Sequence, residues 1–192
     1  MINTLKARLK FYIIMFVTLV SIVIIIDNAT TVLRIAYPVK YKEYVYKYSS
    51  RYGVDPYLVF AIIKAESSFD PNATSHRNAI GLMQITERTG AWGARDLKMG
   101  KFEAADLYDP ETNIEIGCWY IGRLMKQFNN NLELVITAYN SGSGRVSEWL
   151  RDQSYSNSGD NLEKIPFKET DKYLKRVKNY HSVYKSLYGK SF

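Results

Sequence analysis

The chain has 192 residues, 46% hydrophobic and 23% charged, with a net charge of +7 and a single cysteine. With roughly the first 35 residues set aside, that length suits one domain with a sizeable core and leaves no room for a second enzymatic domain. One cysteine excludes an internal disulfide, and scattered basic residues without a recognition motif argue against nucleic acid as a partner.

Residues 11 to 26 form an apolar run with Thr18 and Ser21 as mild interruptions, preceded by Lys6, Arg8 and Lys10 and closed by Asp27. At about 1.5 Å per residue it extends roughly 24 Å, short for a transmembrane helix and at the upper limit of a signal-peptide core. No Ala-x-Ala type cleavage site follows, because Asp27-Asn28-Ala29-Thr30-Thr31 is a poor substitute. The pattern therefore predicts that residues 1–27 are a basic cytoplasmic flank and an uncleaved transmembrane signal anchor. A single pass through the cytoplasmic membrane at 11–26 would place the remainder outside. A buried core helix fits the basic flank and the all-round hydrophobicity poorly.

Residues 28–40 read as a connector and 41–188 as the folded domain. The stretch 41 to 52 predicts a helix ending at Gly53. Next, Asp55 is placed as an N-cap and Pro56 as the first helical residue, while Pro71 marks a stop after Asp70. Within that helix Val59, Ile62, Ile63 and Glu66 share one face, so a carboxyl lies on an apolar stripe. Lost hydration and the negative end of the helix both disfavour its ionised form, as a general acid near neutral pH requires. The pattern alone equally allows a Glu that snorkels to the rim or pairs with a Lys or Arg.

Residues 87 to 109, with Gly90, Gly93 and Gly100, read as irregular, a possible groove rim. Helices are predicted over 112–128 and 132–138, separated by Asn129-Asn130-Asn131, and over 145–151. The polar stretch 152–161 reads as a mobile loop. Residues 168 to 187 are amphipathic, with Tyr173, Val177, Tyr180 and Tyr184 at helical spacing, which favours docking on the core. Cys118, within Ile116-Gly117-Cys118-Trp119-Tyr120, reads as buried structure, and His76 and His181 show no metal-ligand spacing, so neither metal nor cofactor is expected.

Glu66-Ser67-Ser68-Phe69, Gly81-Leu82-Met83-Gln84-Ile85 and Ala138-Tyr139-Asn140-Ser141-Gly142, in that order, resemble the signature motifs of the soluble lytic transglycosylases. A fourth block, Glu163-Lys164-Ile165-Pro166-Phe167-Lys168-Glu169-Thr170, followed by Tyr173 and Val177, looks like the C-terminal motif of that family. The resemblance implies a single compact, mainly helical domain of the α+β lysozyme-like class with a glycan-binding groove. Its expected activity is cleavage of the β-1,4 bond between N-acetylmuramic acid and N-acetylglucosamine in peptidoglycan, closing a 1,6-anhydro ring. Glu66 matches the catalytic acid/base of the family. Ser75, Gln84, Tyr139, Asn140, Glu163 and Glu169 fall in its groove-lining motifs. Thr86, where the family often has Met, departs from the pattern at one sugar contact.

Ordinary glycosidases use two carboxyls. Asp70 reads as part of a helix stop, and Asp96, Asp106 and Asp109 lie in polar sequence, so no second acid is marked. An anhydro-forming reaction fits one acid: Glu66 gives its proton to the leaving oxygen, then takes one from the muramic C6 hydroxyl. Tyr139 can stack on a sugar and offer its hydroxyl to the N-acetyl group or to Glu66, although core packing explains it as well. Gln84 can fix a glycan amide or hydroxyl. The expected enzyme is an anchored lytic transglycosylase serving cell-wall, secretion or sporulation machinery. A hydrolytic lysozyme and a non-catalytic glycan-binding module stay open. Without Lys6, Arg8 and Lys10 the charge is +4, an excess suited equally to anionic wall polymers and to plain solubility.

Overall fold

The computed structural model describes residues 2–189, with side chains described for 10–23, 28 and 30–189. The chain divides into two compact units, Met1–Pro38 and Val39–Phe192. The first contains one long helix, α1 (Ile2–Ala36), whose apolar side chains from Phe11 to Val23 are largely exposed. Ser21 returns its hydroxyl to the Val17 carbonyl at 2.8 Å, so this polar atom is satisfied within the helix.

Among the described residues no helix is long and apolar enough to cross a membrane. That finding corrects the expected transmembrane signal anchor. It also corrects the single-pass topology, the membrane contact through residues 11–26 and the extracytoplasmic placement derived from it. The apolar run, residues 11 to 26, covers about 24 Å at helical rise, against roughly 30 Å of bilayer hydrocarbon. Its end at 24–26, together with Lys6, Arg8 and Asp27, lies outside the described side chains.

The second unit is built around α3 (Pro56–Glu66), flanked by α2 (Lys42–Tyr52) and α8 (Lys168–Tyr188). Gly53, at φ 67°, ends α2 in the left-handed conformation that glycine adopts without steric cost. Asp55 caps α3 by accepting the Tyr57 N–H at 2.9 Å, with Pro56 in the first turn. Leu58 through Ile63 are all buried, so α3 is enclosed on every side and not along one stripe only. It ends at Glu66, four residues before the stop that Pro71 suggests, because Ser68 and Phe69 take left-handed φ values of 52° and 69°. Phe69 then turns back into the core against Phe60.

A two-stranded antiparallel ribbon follows, β1 (Ala79–Ile80) and β2 (Ile85–Thr86), paired Ala79 to Thr86 and Ile80 to Ile85. The stretch expected to be irregular forms α4 (Glu87–Asp96) and a 3-10 turn over Ala104–Tyr108. Gly90 and Gly93 are contact points, not breakers. A Cβ at Gly90 would lie 2.7 Å from Cζ of Phe102, and one at Gly93 would lie 2.9 Å from Cγ2 of Ile116. α5 (Pro110–Gln127), capped by Asp109, packs against α2, α4 and α6 (Leu132–Ser141). Gly142, at φ 92°, turns the chain from α6 into α7 (Ser143–Arg151).

Candidate active site

Glu66 is the last residue of α3, half-buried, and its Oε1 accepts a hydrogen bond from the Tyr173 hydroxyl at 2.6 Å. Burial pushes its carboxyl up to about 7, although the Tyr173 hydrogen bond and the Arg176 charge both oppose the rise. Tyr173 is buried in α8, and burial together with the neighbouring Glu66 holds its phenol well above the usual range. It therefore stays a donor to Oε1 and leaves Oε2 to carry a transferable proton.

The loop between the two strands is fixed against Glu66 through its backbone. The hydroxyl of Ser67, next to the acid, donates to the Leu82 carbonyl at 2.8 Å, and the Tyr139 hydroxyl donates to the Met83 carbonyl at 2.8 Å. Buried Asn113 accepts the Met83 N–H at 2.8 Å and donates to the carbonyls of Ile80 and Leu107 at 2.9 and 2.7 Å. Gly81, at φ 76°, is where that side chain passes; a Cβ there would come within 2.4 Å of Asn113 Nδ2. At Gly117 a Cβ would sit 2.2 Å from the Met83 sulfur, so α5 admits the loop only through a glycine.

The residues expected at the site therefore divide. Gln84, at φ 50°, gives its amide N–H groups to the carbonyls of Ala73 and Gly81 at 3.1 and 2.9 Å, and keeps its carbonyl oxygen outside those bonds. Burial first and then the Glu66 charge hold the Tyr139 phenol well above the usual range, and its hydroxyl donates to the Met83 carbonyl, not to the acid. Asn140 accepts from the Thr170 hydroxyl at 2.9 Å, tying the end of α6 to the start of α8. Glu169 is exposed in that same first turn. Ser75 is engaged in its own turn, accepting the Arg77 and Ala79 N–H groups. Glu163 accepts the Asn157 N–H and closes the polar loop at 152–161. Sequence reasoning placed Tyr173 on a helical stripe but missed it as the partner of the acid; its motif position was the available signal. Asn113 carried no such signal.

The acids weighed as second catalytic groups have other roles. Asp70 accepts the Asn72 N–H, Asp96 accepts the Trp119 indole N–H, Asp106 pairs with the Glu103 N–H and Asp109 caps α5. Among the described residues no carboxyl contributes to the Glu66 shift, and no group of three or more His, Cys, Asp and Glu could hold a metal ion. Cys118 is buried, which pushes its thiol up, away from a nucleophile. Two concavities, about 700 and 830 Å³, share Tyr120 in their linings, and the ring centroid of Tyr120 lies 5.7 Å from that of Tyr139; Glu66 lines neither.

Residues 43–161 match the Transglycosylase SLT domain family. The soluble lytic murein transglycosylase of Escherichia coli is 34% identical over 155 residues, covering 80% of this chain and 24% of the relative. The membrane-bound lytic murein transglycosylase C of Sodalis glossinidius is 39% identical over 128 residues, 60% of this chain and 35% of that protein. Among solved structures, the 70 kDa soluble lytic transglycosylase of Escherichia coli superposes with a TM-score of 0.74 at 34% identity, over 82% of this chain and 26% of the other. An inactive mutant of the lytic transglycosylase Slt from Pseudomonas aeruginosa gives 0.70 at 30% identity, over 80% of this chain and 25% of the other. The chain thus spans about a quarter of the soluble relatives it matches. On the extent of these matches, this chain belongs to the transglycosylase SLT domain family.

Proposed function

We propose that the domain cleaves peptidoglycan glycan strands as a lytic transglycosylase, breaking the β-1,4 bond between N-acetylmuramic acid and N-acetylglucosamine with Glu66 as the single acid and base. The observation that carries this reading is the Glu66 carboxyl, pushed up to about 7 by burial, with Tyr173 on one oxygen and, among the described residues, no second carboxyl acting on it. Near neutral pH such a group is shared between its two protonation states, which suits a residue that must first give a proton and then take one. The proton leaves Oε2 for the glycosidic oxygen as the bond to the muramic anomeric carbon breaks. The muramic C6 hydroxyl then attacks that carbon, and its proton returns to Glu66. Proximity within one sugar ring replaces the water activation for which a second carboxylate would serve. In this reading the half-buried Gln84, Tyr139 and Asn140 line the wall for the sugar, and the buried carbonyls of Leu82 and Met83 hold the loop behind it.

Mass spectrometry of peptidoglycan digested by the chain tests this. Muropeptides ending in 1,6-anhydromuramic acid are expected, lighter by one water than the reducing form. Reducing ends would replace the proposal with hydrolysis, and no release at all would reject cleavage.

A further inference from the structure

Granting that the chain acts on peptidoglycan, we infer that the concavity between α4 and the α6–α7 turn binds the carboxylates of the peptide stem carried by the glycan. The space, about 830 Å³, is lined by Arg88 and Arg95 from α4 and by Arg145 and Glu148 from α7, with Trp92 and Tyr120 beside them. Arg145 is held in place: Nη1 donates to the Ser141 carbonyl at 3.1 Å, and its guanidinium lies 5.2 Å from the Phe167 ring centroid. Among the described residues no carboxylate is ion-paired with Arg88, Arg95 or Arg145, whereas in the neighbouring concavity, which shares Trp92 and Tyr120, Arg51 pairs with Glu115 and Arg123 with Asp96. Three guanidiniums around one concavity repel one another, and an anion among them reverses the sign of that interaction. The first turn of α7, where Gly142 supplies no side-chain cap, adds partial positive charge to the same wall.

The mixture of charges selects the kind of anion. One carboxylate among three guanidiniums suits a ligand with several carboxylates and an amine, as a short acidic peptide has; a uniform phosphate polymer would meet Glu148 at close range. Guanidinium forks bind carboxylates through paired hydrogen bonds, and the rings of Trp92 and Tyr120 offer an apolar flank to aliphatic side chains. Position agrees. Tyr120 packs on Tyr139, which holds the Met83 carbonyl in the loop fixed beside Glu66. A three-residue arm extends about 10 Å, longer than the 5.7 Å between the Tyr120 and Tyr139 ring centroids.

The full chain and its Arg88→Gln/Arg95→Gln double variant are compared on peptidoglycan and on the same glycan stripped of its peptides by an amidase. The variant is expected to raise KM about tenfold on peptide-bearing strands, with kcat retained, and to leave peptide-free strands unaffected. An equal loss on both substrates, or none on either, overturns the inference while cleavage by the wild type keeps the activity reading intact. If neither glycan is cut, the activity reading falls, and calorimetric titration with the released stem peptides decides the inference alone. Binding that the double variant and added salt both weaken supports it. No binding, or binding indifferent to the arginines, overturns it, as does tighter arginine-dependent binding of a poly(glycerol phosphate) chain.

Discussion

At Glu66 the surroundings that suit catalysis work against stability. Its carboxyl is raised from the ordinary range to about 7 by burial, so between those values the folded chain holds a proton that the unfolded chain has lost. Stability therefore falls as pH rises through that window and is restored below it. Glu66→Gln removes the titration and keeps the shape. It is expected to abolish release of anhydro muropeptides and to stabilise the domain above pH 7 by up to about 3 kcal/mol, the gain vanishing below about pH 4. Urea unfolding at both pH values measures it. Tyr173→Phe tests the partner: the hydroxyl lowers the Glu66 pKa, so without it the alkaline limb of the pH–rate profile moves to higher pH. An unmoved limb would detach Tyr173 from the acid.

At the scale of elements, the site depends on a ribbon of two-residue strands that cannot hold itself. Its turn is fixed by side chains from three other segments, Ser67, Asn113 and Tyr139, and by its own Gln84. Asn113→Ala would leave the Met83 N–H and two carbonyls without their partner, an expected loss of about 2–5 kcal/mol in chemical denaturation. A shift of less than about 1 kcal/mol would mean that the loop finds replacement partners. This arrangement also marks what the sequence could convey. Glu66 stood out because a carboxyl among Val59, Ile62 and Ile63 breaks a local pattern, and the caps at Asp55 and Gly53 are local chemistry. Strands of two residues have no period to read, and Gly90 and Gly93 signal a break until Phe102 and Ile116 are seen against them. The Tyr173 bond to Glu66 joins residues 107 apart, and the Tyr139 hydroxyl goes to a carbonyl that no pattern of side chains reveals.

Within the larger unit, α8 lies antiparallel along α3 and holds it at both ends. Tyr173 meets Glu66 at the C-terminal end of α3; at the other, His181 reaches Asp55 at 2.8 Å, Lys185 lies 3.6 Å from the same carboxylate and the Tyr57 hydroxyl donates to the Tyr188 carbonyl at 3.0 Å. The family match ends at residue 161, so the helix that carries the partner of the acid lies beyond it, and the two ends of α3 are coupled through that helix. Burial disfavours the Asp55 charge, but the His181 hydrogen bond, the Tyr57 N–H and Lys185 outweigh it and hold the carboxyl below the ordinary range. A depressed carboxyl stabilises the fold above its unfolded pKa and loses that contribution as pH falls through the folded one. Asp55→Asn keeps an equally good cap and deletes the charge, so it isolates the link to α8. The variant is expected to lose about 1 kcal/mol at pH 7 and to converge on the wild type near pH 3. Because α8 also carries Tyr173, loosening its far end is expected to broaden the pH–rate profile set by Glu66; an identical profile would mean that the two ends of α8 act independently.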